Sequence, residues 1–449
     1  MGKITVQDII NVAKEFDTEC FEYSDINKEL EVSTDSRDDF NSADKVFIAL
    51  KGDKFDGNNF ALDVYNLGCR FFILSNKSVI LPKDAFVIYY NDTILFLIRL
   101  AREYRRKFNI KVVLVTGSCG KTTTKELISL FLSTKYKVLK TEGNLNNEIG
   151  VPKTIFNLDS SYDIAVIEAG MNHRNELLRI SEATESDTVI INNVEEVHIA
   201  YLGSLENIAL AKSETLYNTQ KNASLVISKD IREKDTILKE AKKNNIENII
   251  EYDIADIIKI DDNTFKYKDV LFNHNLIGDF NLKNILTALK VAELYNINLE
   301  DTSNILQTYK NQKNRMEVFN INGATIINDC YNSNPVALKN MLMFLSKRTE
   351  SKKIAIIGDM LETEMENTHF HRDIGLFINE LKNIDVVIAC GECSKDIYDI
   401  VNSEKYYFKS VDDKLLLKIK SILTVDTAIL IKASFGVGFA KIIDYIKEL

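Results

Sequence analysis

Residues Val115–Glu126 read VTGSCGKTTTKE. An apolar run, KVVLV at 111–115, leads into them, and a helical pattern beginning near Lys121 follows. Strand, glycine turn and helix make a setting for phosphate binding, because loop N–H groups and the positive end of the helix both face the anion. Lys121 adds a point charge, and the Thr122 hydroxyl can ligate Mg²⁺. The usual loop, G-x-x-x-x-G-K-[ST], is missed by one feature. Val115 stands where its first glycine belongs, and a glycine comes two places later, at Gly117.

Outward from this loop, apolar β-branched runs recur between amphipathic stretches. The clearest are DIAVIE (163–168), TVIINNV (188–194), SLVIS (224–228), ATIIND (324–329), KIAIIGD (353–359), DVVIAC (385–390) and AILIKAS (428–434). Near-continuous apolar runs suit parallel strands covered on both faces, and alternation with helical patterns gives an α/β class. Residues 249–271 instead alternate around Asp261-Asp262-Asn263, a hairpin signal. A chain of 449 residues exceeds one ordinary core. Three domains are expected: a small mixed α/β domain over 1–90, a central parallel-sheet ATPase domain with the phosphate loop over 91–312, and a Rossmann-like α/β domain over 313–449.

Around the loop, residue types and positions offer further candidates. Glu168 ends the run 163–168, and a carboxylate at the carboxyl end of a parallel strand beside a phosphate loop can reach a metal. His198 lies four residues past the run 188–194; taken alone, a histidine there is more often structural. Lys212, in IALAKSE, reads by periodicity as a solvated helix lysine.

Composition narrows the classes. With 45% hydrophobic and 27% charged residues the chain reads as an ordinary globular protein. A net charge of −10 argues against a general binder of nucleic acid or anionic membrane. No run of 18 apolar residues occurs, and the amino end lacks a signal-peptide core, so a cytoplasmic location is expected. The six cysteines are scattered and read as free thiols; Cys390 and Cys393 form a lone C-x-x-C pair with no second ligand pair nearby.

The shifted loop T-G-S-x-G-K-T-T-T resembles that of the Mur ligases, which build the peptide stem of bacterial cell-wall precursors. Other blocks match in the same order: TEGNLNNEIGVP (141–152), EAGMNHRNE (168–176), NVEEVH (193–198), GSLENIALAK (203–212), NDCYNSNP (328–335), GDMLE from Gly358, HRDIG from His371 and KAS from Lys432. Near the amino end, TDSR (34–37), VFIALKG (46–52) and Asp56-Gly57 are similar to the family's nucleotide-sugar domain. On this resemblance the displaced glycine is the family's own form of the loop.

The resemblance implies ATP-driven amide formation in peptidoglycan precursor synthesis. A terminal carboxylate of a UDP-N-acetylmuramoyl-tripeptide takes the γ-phosphoryl group, and the amine of D-alanyl-D-alanine displaces phosphate from the acyl phosphate. It implies that Gly117, Ser118, Cys119, Gly120, Lys121, Thr122 and Thr123 cradle ATP, with Asn281 and Asn284 on the adenine side and Arg315 and Asp329 approaching ATP as domains close. It implies two Mg²⁺ ions, the first held by Thr122 and the second by Glu168 and His198, braced by a carbamylated Lys212. Ser36 and Arg37 match uridine-diphosphate contacts, and Asn144, Asn147, Asn332 and Asn334 are substrate-positioning amides. Phe280, Asn58 and Phe435 stand where histidine, histidine and arginine are common. A related ligase adding another amino acid to a UDP-muramyl peptide, or glutamate to folate, is the alternative; T-D-S-R disfavours folate. A monomer is expected, with catalytic groups far apart before ligands close the domains. Cys119, at a helix amino end, is expected to favour thiolate.

Overall fold

The computed structural model describes residues 2–41, 44–52, 55–197, 199–361 and 369–449. Its first sheet takes strands β1 (Lys3–Thr5), β2 (Glu29–Ser33), β3 (Lys45–Ile48), β4 (Phe71–Leu74) and β5 (Phe86–Tyr89) in sequence order, with β1 antiparallel and the rest parallel. The helix Thr93–Arg106 follows, capped by Asp92, whose Oδ1 accepts from the Leu95 N–H at 2.9 Å. Its apolar face joins the two neighbouring sheets into one core, from Ile4 and Phe71 through Phe96 and Leu100 to Val189 and Ile237.

The central sheet contains β6 (Lys111–Thr116), β7 (Val138–Lys140), β8 (Ile164–Glu168), β9 (Thr188–Ile191), β10 (Ser224–Ser228) and β11 (Asn248–Tyr252). The order is β11-β10-β9-β6-β8-β7, parallel throughout. All five residues of β8 and of β10 are buried, which is why both read as unbroken apolar runs. The chain leaves β6 toward β7 and β8, then crosses to β9 on the other side. The carboxyl end of β6 is therefore a topological switch point, where open α/β sheets bind ligands.

Sequence alternation over 249–271 is only partly a hairpin. Asn248–Tyr252 extends the parallel sheet, because its residues pair with β10 and bury Tyr252. The remainder forms an antiparallel ribbon, β12 (Ile257–Lys259), β13 (Thr264–Tyr267) and β14 (Val270–Asn273), turning at Asp261–Asn263 as expected. The second six-stranded sheet takes β15 (Glu317–Ile321), β16 (Ala324–Asn328), β17 (Lys352–Gly358), β18 (Val386–Cys390), β19 (Glu404–Phe408) and β20 (Thr427–Lys432), ordered β15-β16-β20-β17-β18-β19. Only β15 runs antiparallel to its neighbour, and β20 sits between β16 and β17. Among the described residues, no helix is long and apolar enough to cross a membrane.

Candidate active site

The carboxyl ends of the two six-stranded sheets face one cavity of about 700 Å³. From the central sheet come Ser118–Thr123 after β6 and Glu168 at the end of β8; from the other come Asp329 after β16 and Lys432 at the end of β20. The two sheets meet across the cavity, with Cys119 Sγ 3.5 Å from Asn334 Nδ2.

The loop needs its glycines. Gly120 caps the helix Lys121–Leu132 at φ +76, and a Cβ there would stand 2.6 Å from Asn284 Oδ1. At Gly117 a Cβ would stand 2.7 Å from the Asn192 Cβ. Gly117 thus supplies close approach; Lys121 folds back so that its ammonium donates to the Gly117 carbonyl at 2.8 Å. The strand expected over 188–194 ends at Ile191, freeing Asn192 and Asn193 to brace the loop. The Asn193 amide accepts from the Cys119 N–H at 2.8 Å and donates to the Cys119 carbonyl at 3.0 Å. Asn192 Nδ2 donates to Thr124 Oγ1 at 2.9 Å and to Asn284 Oδ1 at 3.2 Å.

Glu168 is buried. Its Oε1 accepts from Asn146 Nδ2 at 2.8 Å, while the buried Oε2 has no partner among the described residues. A buried carboxylate oxygen left bare is costly unless a cation or donor meets it. Thr122, also buried, lines the same cavity. An oxygen-rich pair of this kind suits Mg²⁺. Across the cavity, Asp329 Oδ2 pairs with Lys432 Nζ at 2.5 Å, and Lys432 also donates to the Asn332 carbonyl at 2.8 Å. The Arg315 guanidinium stacks 3.8 Å above the Tyr331 ring, with its buried Nε unpartnered.

A model of the Mur ligase middle domain matches residues 115–292, and one of the Mur ligase glutamate ligase domain matches 314–435. The chain belongs to the Mur ligase family. The curated UDP-N-acetylmuramoyl-tripeptide–D-alanyl-D-alanine ligase of Bacillus subtilis is 32% identical over 414 residues, covering 89% of each chain. The enzyme of that name from Rickettsia prowazekii is 29% identical over 427 residues, covering 90% of this chain and 94% of its own. The crystal structure of MurF from Acinetobacter baumannii superposes with a TM-score of 0.89 at 24% identity over the whole of both chains, a likeness of fold.

Lys212 of this Mur ligase does not read in three dimensions as a solvated helix lysine. It is buried near the end of the helix Leu205–Ser213, and burial, aided by the Lys121 charge, pulls its pKa well below the ordinary lysine value. No carboxylate among the described residues pairs with it. The expected thiolate at Cys119 is also corrected: burial pushes the thiol up, outweighing the nearby Lys121 charge. His198 lies outside the described residues.

Asn144 lines the cavity; Asn147 does too, but its Oδ1 accepts from the Gly150 N–H at 2.8 Å, in the turn that leads into the helix Gly150–Ile155. Asn334 caps the helix Pro335–Ser346 through the Ala337 N–H at 2.9 Å. Asn281 and Asn284 line the cavity and bond each other at 2.8 Å. Phe280 lines it as well and packs against the apolar cluster containing Met341 and Ile374. Ser36 and Arg37 stay outside this cavity; the exposed Arg37 forks onto Asp35. Sequence reasoning missed Asn146, Asn192 and Asn193 as bracing amides, and Lys432 as the partner of Asp329. For Asn146, Asn193 and Lys432 the only sequence signal was membership of the matched blocks; Asn192 lies outside them.

Proposed function

We propose that this chain uses ATP to join D-alanyl-D-alanine to UDP-N-acetylmuramoyl-tripeptide, in the cytoplasm of a bacterium and as a monomer. The observation that carries this is one cavity walled by a phosphate loop from one sheet and by Arg315, Asp329 and Lys432 from another. Two anionic reactants must be brought together, so positive charge and fixed geometry are needed. The identity with the Bacillus subtilis ligase supports the choice of dipeptide.

In this reading the N–H groups of Ser118–Thr123 and the helix end bind the nucleotide phosphates, and Lys121 releases the Gly117 carbonyl to follow the moving γ-phosphoryl charge. The tripeptide carboxylate attacks that phosphorus and ADP leaves. The dipeptide amine then attacks the acyl carbon and phosphate leaves. Arg315 offers its unpartnered Nε to developing charge, and Asp329 holds Lys432 in place at the wall. Thr122, Glu168, His198 and a carbamylated Lys212 would hold two Mg²⁺ ions; when bound, these neutralise phosphoryl oxygens. A neutral buried amine is the form that adds CO₂, which supports the carbamate at Lys212. Ser36 and Arg37 would meet the uridine diphosphate, and Asn144, Asn147, Asn332 and Asn334 would orient peptide amides.

The test is phosphate release from ATP with UDP-muramyl tripeptide alone, with D-alanyl-D-alanine alone and with both. Release only with both, together with the joined pentapeptide product, is expected. Equal release without peptides refutes the reading.

A further inference from the structure

The segment between the helix Leu299–Leu306 and β15 is short and unusually constrained. Within it, Asn314 and Met316 sit at φ +62 and +51. Methionine rarely takes that conformation, and it persists only where surroundings enforce it. The enforcement is visible on the side of the β15–β20 sheet: Met316 N–H donates to Asp329 Oδ1 at 3.2 Å, and Asn328 Nδ2 donates to Asn314 Oδ1 at 3.0 Å. Arg315 lies between the two strained residues. Its direction into the cavity is thus set by the linker's backbone.

On the central side Gln312 ties the linker to the loop helix, beside weaker contacts of Asn275 Nδ2 with the Gln307 carbonyl at 3.4 Å and of Asn281 Nδ2 with Met316 Sδ at 3.7 Å. Gln312 Nε2 donates to Glu126 Oε1 at 2.7 Å. Glu126 lies on the loop helix, one turn after Thr122. Its carboxylate also pairs with Lys125 Nζ at 2.7 Å and Lys140 Nζ at 2.6 Å. The fully buried Lys125 donates to the Thr141 carbonyl at 2.6 Å, and Thr141 Oγ1 accepts from the Glu168 N–H at 2.9 Å. The linker is therefore tied to the scaffold that carries both the phosphate loop and Glu168.

We propose that the Gln312–Glu126 hydrogen bond is a latch, and that Gln312 is a positioning residue that acts through Arg315 on the nucleotide phosphates. It rests on the reading above that ATP occupies the cavity. Gln312 is a neutral residue at the cavity's edge; it fixes where the strained turn begins, and Arg315 follows three residues later.

The test uses the full chain as wild type, Gln312→Ala, Arg315→Ala and the double variant. Each is titrated calorimetrically with β,γ-methylene ATP and assayed for phosphate release with both peptide reactants. Loss of a hydrogen bond to a charged group predicts about tenfold weaker analogue binding in Gln312→Ala. The thermal midpoint should hold, and the double variant should bind no more weakly than Arg315→Ala alone. Unchanged analogue affinity overturns the latch. So does a Gln312→Ala loss that repeats in full in the Arg315→Ala background, because the residue is then merely structural. Wild type that binds the analogue yet releases no phosphate with peptides refutes the proposed reaction and leaves the latch to be judged by titration.

Discussion

Glu168 shares a single hydrogen bond with Asn146, 2.8 Å from Nδ2 to Oε1, and its other carboxylate oxygen is buried without a partner among the described residues. The two residues come from different segments: one ends β8, the other lies in the stretch after β7. Asn146 thereby fixes the rotamer of the carboxylate and leaves the second oxygen without a donor among the described residues.

Replacing Glu168 with Gln removes that charge while keeping shape. Activity should fall about a hundredfold or more, the scale of losing a preorganised electrostatic group. The thermal midpoint should not fall, since an unpaired buried charge is costly to keep. Phosphate release and a melting curve, read together, check this; a stable variant with wild-type turnover contradicts it.

Lys212 gives a pH prediction. Burial depresses its pKa in the folded chain, so the unfolded chain binds the proton more tightly. The resulting penalty is full below the folded pKa and fades as pH rises toward the ordinary value of 10.5. Lys212→Met should therefore raise the melting temperature at pH 7 in CO₂-free buffer while abolishing turnover. With bicarbonate, the wild-type chain should gain the mass of one CO₂ at this residue under native conditions. A free amine at saturating bicarbonate removes the carbamate from the reading.

Cys119 should be a sluggish thiol. Its pKa lies above the ordinary 9.0, so the thiolate fraction at pH 7 is about 1% or less. Iodoacetamide labelling followed by mass spectrometry should show negligible modification at neutral pH and acceleration only in alkali. Rapid labelling at pH 7 would restore the activated thiolate.

Gly120→Ala forces a side chain into a left-handed position and onto Asn284 Oδ1. A cost of roughly 1–3 kcal/mol is expected, with loss of nucleotide affinity because the loop must shift. Melting temperature and nucleotide titration check both halves.

The α/β class was legible because parallel strands such as Ile164–Glu168 bury every residue and so leave unbroken apolar runs. Asn248–Tyr252 was harder: as an edge strand it is only part-buried, and its pattern merged with the alternating ribbon after it. The phosphate loop was legible since glycine, lysine and threonine at fixed spacing have few other uses. Asn192 and Asn193 were not, because they continue an apolar run whose strand stops just before them. Lys432 and Gln312 were invisible as partners: Asp329 and Glu126 lie 103 and 186 residues away along the chain, and only the fold brings them together.

The place of β20 inside its sheet, rather than at an edge, has a bearing on biogenesis. A nascent chain emerging from the ribosome could complete the phosphate loop and its sheet long before Thr427–Lys432 was translated, leaving an open slot between β16 and β17. Insertion of that strand delivers the ammonium that neutralises Asp329. Half-made copies would thus hold a nucleotide pocket without its opposite wall, so competence for peptide joining arrives in one late step of maturation.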